Sequence, residues 1–192
     1  LLICVMMTSV SIVREKETGT MEVLLVSPFN PFLVIISKAI PYLALSLVNL
    51  TIILLLSVYV LQMPVNGSLL LLYAVSTLFI ITALSLGLLI SNSTDSQQAA
   101  MLIALMGMMV PTILFTGFMF PLENMPYALQ LIANIIPSKW YYIIVKAIMV
   151  KGLGISAIWR EVMVLAGMTV LLLLINYKKF NFSDVKFIEI PT

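Results

Sequence analysis

Long apolar runs, broken at a few short polar points, dominate the chain, and the breaks define its elements. Between Lys38 and Asp95 lie 56 consecutive uncharged residues, more than twice the ~20 that one membrane-crossing helix needs. The pattern predicts two spans, at about 40–61 and 69–90. They are joined by a turn at Gln62-Met63-Pro64-Val65-Asn66-Gly67-Ser68, where Pro and Asn-Gly interrupt the Leu/Ile-rich sequence. After the polar patch Ser91 to Gln98, the 27 residues before Glu123 hold a third span near 99–117, with Pro111 late in it as a kink point. A last span at about 160–177 contains 16 uncharged residues, Val162 to Tyr177, bounded by Glu161 and Lys178. Trp159 and Tyr177 would mark its interfaces.

The stretch 118–158 tempts a fifth crossing at Ala128 to Val150, but Pro137, Lys139 and Lys146 interrupt it. A hairpin that enters and leaves on one side fits better, because irregular backbone at membrane depth is tolerated where protein or a wet cavity surrounds it. Four crossings also put Arg14, Lys16 and Lys38 on the same side as Lys178, Lys179 and Lys186, as the positive-inside rule asks. The expected organisation is the end of a span at 1–13, a cytoplasmic segment at 14–39, a membrane domain at 40–177 and a cytoplasmic tail at 178–192. Because the chain opens on Leu1 with no basic segment ahead of an apolar run, it reads as a fragment of a longer protein rather than as one led by a signal peptide.

Composition sharpens this picture. Hydrophobic residues make up 62% and charged residues 9%, against about 25% charged in soluble domains, so lipid is the expected solvent. A net charge of +2 with scattered basic residues implies no nucleic-acid partner. The chain has no His and one cysteine, Cys4, which excludes disulfides within it, His-containing zinc sites and Ser-His-Asp or Cys-His catalysis. The eight glycines form no phosphate-binding loop.

One dense charge cluster stands out: Arg14-Glu15-Lys16-Glu17, followed by Thr18-Gly19-Thr20-Met21-Glu22 and on to Val26-Ser27-Pro28. It reads as a span end, a break at Gly19 and a short helix stopped before Pro28. Glu22 would suit that helix's positive end, and Met21, Leu24 and Leu25 would share an apolar face. The element is either a solvated connector at the headgroups or a docking element for a cytoplasmic partner. A second group, Gly117-Phe118-Met119-Phe120-Pro121-Leu122-Glu123-Asn124-Met125-Pro126 with Ile136-Pro137, opens the hairpin. There Glu123 and Lys139 either pair or sit separately at the interface. Trp140, Tyr141 and Tyr142 are either an interface anchor or ligand contacts.

Within the spans, Ser46, Asn49, Thr51, Ser76, Thr77, Thr82 and Ser85 either bond between helices or hold sodium. Small residues at Ala83, Gly87, Ser91, Ala100, Ala104 and Gly107 predict close helix approach, inside one subunit or between two. Met101, Met106, Met108 and Met109 are either gap-fillers or an adaptable surface for apolar substrates.

The first two groups resemble the type-2 ATP-binding-cassette (ABC) transporter permeases, multidrug-exporter-like. The run Arg14 to Pro28 is similar to that family's cytoplasmic segment, and Gly117 to Pro126 with Pro137 is similar to its extracytoplasmic re-entrant region. The resemblance implies an all-α integral membrane protein, here the C-terminal part of a six-helix permease with an amphipathic coupling helix and a re-entrant hairpin. It implies that Glu15, Glu17, Thr18, Gly19, Thr20, Met21 and Glu22 couple to a separate ABC ATPase subunit. Gly117, Phe120, Pro121, Glu123, Pro126 and Pro137 would form the extracytoplasmic gate or re-entrant region. ATP and Mg would sit on the partner, with no cofactor, metal or catalytic set in this chain. Also implied are a second permease subunit, in a homodimer or paralogous heterodimer, surrounding lipid, and a bacterial inner membrane. The implied activity is export of a drug-like or lipophilic molecule; sodium, lipid or polysaccharide export is the alternative. A gradient-driven carrier and a non-transporting anchoring subunit are the readings outside the family.

Overall fold

The computed structural model describes residues 2–19, 31–63, 65–119 and 121–188. The first helix, α1 (Leu2–Glu17), carries Arg14 and Lys16 in its last turn, where the negative end of the helix dipole favours cations. It stops at Gly19, whose φ of +72° is a conformation that glycine adopts without strain. Helix α2 (Pro31–Leu55) runs on through a π-helical turn, Leu56–Val60. Ser68 then caps α3 (Leu69–Ser91), its side chain accepting from the Leu71 N–H. Helix α4 (Gln97–Phe115) has Pro111 in its interior. After a 3-10 turn at Leu122–Asn124 come α5 (Tyr127–Ile135), α6 (Pro137–Met149) and α7 (Ile155–Ile188). The described residues contain no strand.

Four stretches are long and apolar enough to cross a membrane: Ala39–Val60, Leu69–Ser91, Gln97–Phe115 and Ile155–Lys179. The last begins earlier than the count of uncharged residues suggests, taking in Arg160 and Glu161. A charge-free count stops at Glu161, whereas charges in the first turns of a span reach headgroup depth. Residues 162–177 remain free of charge, but the helix turns ahead of them do not, and one carboxylate oxygen of Glu161 is buried without a hydrogen-bond partner. The two hairpin helices, α5 and α6, of 9 and 13 residues, measure about 14 and 20 Å, short of the ~30 Å hydrocarbon core.

Helix α3 is the centre of the packing. Its N-terminal half, Leu72, Val75 and Phe79, packs on Ile144, Ala147 and Ile148 of α6 and on Ile158 and Leu165 of α7. Its other half, Ala83 and Ile90, packs on Val5 and Val13 of α1 and on Ala100 and Ala104 of α4. The close approach expected from the small residues is thus found inside the chain. A Cβ on Gly87 would lie 2.8 Å from the Val5 carbonyl oxygen and 2.9 Å from Thr8 Cβ. Gly107, by contrast, faces outward on α4. Helix α2 meets α1 through Tyr42, which donates to Ser11 Oγ (2.5 Å), and through the Cys4–Ser46 contact (3.1 Å).

Large apolar side chains cover the outside. They include Leu45, Val48 and Ile52 on α2, Leu102, Met106 and Val110 on α4, and Leu171 and Leu174 on α7. A surface of that kind is stable in hydrocarbon rather than in water, and this is a multi-pass membrane protein.

Candidate functional site

Two regions hold the residues singled out above, and they lie at opposite ends of α3. The first is a polar node around the α3–α4 turn. Glu17, at the end of α1, accepts a hydrogen bond from the backbone N–H of Gln97 (2.8 Å) and another from the Gln97 side-chain amide. These bonds, with a further one from Ser96, hold its carboxyl below the usual carboxylate range, against a smaller opposing effect of burial. Lys16 donates to the carbonyl oxygen of Ser91 (2.5 Å), the last residue of α3. Burial lowers its ammonium below the ordinary value; Asp95 opposes that shift and Lys179 adds to it.

Helix α7 reaches the same turn. Asn92 donates to Asn176 Oδ1 (3.2 Å), and Lys179 donates to Ser93 Oγ (2.7 Å). Asn176, almost fully buried, in turn donates to the carbonyls of Ser85 and Leu172, each at 2.9 Å. Glu15 is half-buried on α1, and Thr18 donates to the Arg14 carbonyl (3.0 Å) just ahead of Gly19. Thr20, Met21 and Glu22, and the short helix expected up to Ser27, lie outside the described residues. Asn176 and Gln97 are absent from the sequence-derived candidates. An asparagine inside the last apolar run was the available signal for the first, because an amide in hydrocarbon must be bonded. No local signal marks Gln97 as the partner of Glu17.

The second region is the hairpin. Gly117 has φ +82°, in the left-handed range, with Leu122 beside the position a Cβ would take. Pro121 leads into the 3-10 turn that holds Glu123, which is exposed. Pro126 precedes α5, and Pro137 opens α6 at a helix position where its missing N–H costs nothing. Phe120 lies outside the described residues. Lys139 does not pair with Glu123: it donates to Asn134 Oδ1 (2.6 Å) and lies over the Trp140 ring. The partner is local, from the end of α5, and a neutral one suffices for a half-buried ammonium.

The aromatic trio divides. Trp140 donates to the Asn134 carbonyl (2.9 Å), closing the α5–α6 corner, while Tyr141 and Tyr142 face a cavity of about 360 Å³ between α3, α4 and α6. Tyr141 stacks on Phe79 with ring centroids 4.0 Å apart and bonds Ser76 at 2.8 Å. Tyr142 meets the edge of Phe118 at 6.3 Å. Thr112, Thr116 and Ser138 add hydroxyls to the wall, and the Thr112 and Ser138 oxygens lie 3.3 Å apart. A cavity of this size, aromatic with a few convergent hydroxyls, suits an uncharged organic molecule. Tyr141→Ala is expected to cost about 3 kcal/mol, as aromatic truncation in a core does. Tyr141→Phe, losing one hydroxyl bond, is expected to cost less than about 1 kcal/mol. Thermal unfolding in detergent checks both, and equal losses would mean that the hydroxyl, not the stack, holds the ring.

The remaining span residues behave as structural polar groups. Thr82 and Thr169 bond across α3 and α7 at 2.7 Å. Thr51, Thr77 and Ser85 donate to carbonyls one turn back in their own helices. Among the methionines, Met108 packs against the α1–α3–α4 core, whereas Met101, Met106 and Met109 are exposed on α4.

Comparison with known proteins is consistent with this layout. A family described as ABC-2 family transporter protein matches residues 1–178. The chain is 35% identical over 146 residues to YbhS of Escherichia coli (strain K12), named a probable multidrug ABC transporter permease; the match covers 76% of this chain and 39% of that protein. To YbhR of the same organism, with the same description, it is 36% identical over 154 residues, 80% of this chain and 42% of the other. ABC transporter G family member 20 of Dictyostelium discoideum is 27% identical over 179 residues, 92% of this chain and 24% of that one. The chain thus spans less than half the length of these relatives. No solved structure matches it. With four membrane-length helices and a family match running from the first residue to residue 178, the chain belongs to the ABC-2 family of transporter proteins.

Proposed function

We propose that this chain is the membrane part of a permease subunit in an ATP-driven exporter, moving a small drug-like or lipophilic molecule out of the cytoplasm. The observation that carries the reading is the family match across the whole membrane portion, residues 1–178. ATP and Mg would be bound by a separate ABC ATPase subunit, and a second permease subunit would complete the pathway. The segment from Thr18 through Glu22 and on to Ser27 would dock on the ATPase. The hairpin would be re-entrant from the outer side. Support comes from where α6 meets α3: Tyr141 stacks on Phe79, about 15 Å along α3 from its start. Ile148 lies against Gly67, in the turn before α3. The chain would therefore descend through α5, turn at Ile136-Pro137 and return through α6. The cavity beside Tyr141 and Tyr142 would lie on the substrate route, and the lack of an ionised side chain in its lining favours neutral cargo over sodium.

Deleting Thr20 to Glu22 from the full-length protein is expected to abolish recovery of an ATPase in a mild-detergent pull-down. Undiminished recovery would sink the docking assignment. If the intact protein yields no ATPase under conditions where a known membrane complex survives, the exporter reading itself fails, and a gradient-driven carrier takes its place.

A further inference from the structure

We infer that Lys16 and Glu17 form a two-pole grip on the α3–α4 turn, and that Glu17 serves to move this turn rather than to touch the ATPase. The inference rests on the exporter reading for the source of the movement, but the grip itself is a matter of geometry.

The two residues are neighbours of opposite charge, and each meets the helix end of opposite sign. The carbonyl end of a helix carries about half a negative charge and the amide end about half a positive one. Lys16 sits on the carbonyl end of α3, at the Ser91 oxygen. Glu17 sits on the amide end of α4, at the Gln97 N–H. Ser96, in the capping position of α4, makes no cap bond with its own side chain, so the cap is supplied from α1. The turn between these poles is also bonded to α7 through Asn92–Asn176 and Lys179–Ser93.

A displacement of the chain after Gly19 therefore reaches the end of α3 and the start of α4, each through one charged contact. Helix α4 conveys it over about 22 Å to Thr112 and about 28 Å to Thr116 in the cavity wall. With its carboxylate committed to Gln97, Glu17 is a positioning residue, distinct in role from Glu22 in the docking segment.

The test is hydrogen exchange with mass spectrometry on the full-length permease and its ATPase in lipid nanodiscs, without nucleotide and after trapping with ATP and vanadate. In the wild type, amides around 92–98 are expected to change protection between the two states. In Glu17→Ala they are expected to exchange about tenfold faster, the factor for losing a hydrogen bond to a charged group. They should also lose their nucleotide response, while recovery of the ATPase is unchanged. Glu17→Gln, which keeps an acceptor oxygen, should retain part of the response; a merely structural contact would show the faster exchange in Glu17→Ala with the nucleotide response intact. Exchanging the two charges, Lys16→Glu with Glu17→Lys, should be more damaging than alanine at both sites.

A nucleotide response at 92–98 that survives Glu17→Ala overturns the inference. So does loss of the ATPase from the Glu17→Ala pull-down, which would make Glu17 a docking contact. Absence of an ATPase from the wild-type preparation instead removes the exporter reading and, with it, the transmission role.

Discussion

Valine at Gly87 is expected to unseat α1 from α3 and leave little protein that elutes as a single species in mild detergent. The reason lies in what a side chain would strike. The first added carbon would sit 2.8 Å from the Val5 carbonyl oxygen and 2.9 Å from Thr8 Cβ. Neither is the free end of a flexible chain: one is backbone, and the other is tied to it, with Thr8 itself held to the Cys4 carbonyl. Overpacking of a core costs about 1–3 kcal/mol even where neighbours can yield. Here the whole of α1 must move, and with it Val5, Ile12 and Val13, all essentially fully buried. Gly87→Ala should lower the thermal midpoint measurably, and Gly87→Val should abolish the cooperative transition. Gly107→Val is the control: the nearest atom to its Cβ is 3.9 Å away, and stability within the isolated chain should change by no more than about 0.5 kcal/mol. A Gly87→Val protein with an unaltered midpoint would show that α1 does not lie against α3.

At the other end of α3, Gly67→Val should be nearly as damaging. Its Cβ would fall 2.5 Å from the Ile148 carbonyl oxygen and 2.9 Å from that residue's Cγ2. The turn rests directly on the end of α6, where helix carbonyls have no partner of their own. Asn66 supplies two: its backbone N–H donates to Met149, and its side-chain amide donates to Val150, each at 3.1 Å. Lifting the turn by an ångström breaks both bonds and frees the end of α6. The expected result is a lower thermal midpoint together with faster amide exchange along α6. Asn66→Ala, removing one bond without the clash, should cost about 1 kcal/mol. If Gly67→Val left exchange in α6 untouched, the turn would not be what anchors that helix.

What could be read from the residues, and what could not, follows from the range of each interaction. Spans at Leu69 to Ser91 and Gln97 to Phe115 were legible because a charge-free run is a direct statement about solvent. The start of α7 was not, since Arg160 and Glu161 look like a boundary in a count and lie in the second turn of the helix in space. Ala83 and Gly87 announced a close contact, but not that α1 would fill it rather than a second subunit; partner choice is a property of the assembled helices. The Glu17–Gln97 bond spans 80 residues and leaves no pattern to find. Lys139 had its partner, Asn134, nearby, yet the residues alone could not choose between that and pairing with Glu123, because a carboxylate looks the stronger match until geometry places it elsewhere. For Thr20 to Glu22 and Phe120, only the sequence speaks.

Helix α3 packs on α6 along its first half and on α1 and α4 along its second, while α7 runs beside both. A rod about 34 Å long, seated in this manner, is placed to rock against α7 as a lever between its two other joints. Tilting it to loosen the joint with α1 and α4 would press its far end toward α6, and the reverse tilt would do the opposite. Close-packed joints resist intermediate positions, which favours two resting angles over a continuum. In an exporter of the kind proposed, loosening at the two ends of α3 would then exclude each other through leverage, without a separate gate at either end.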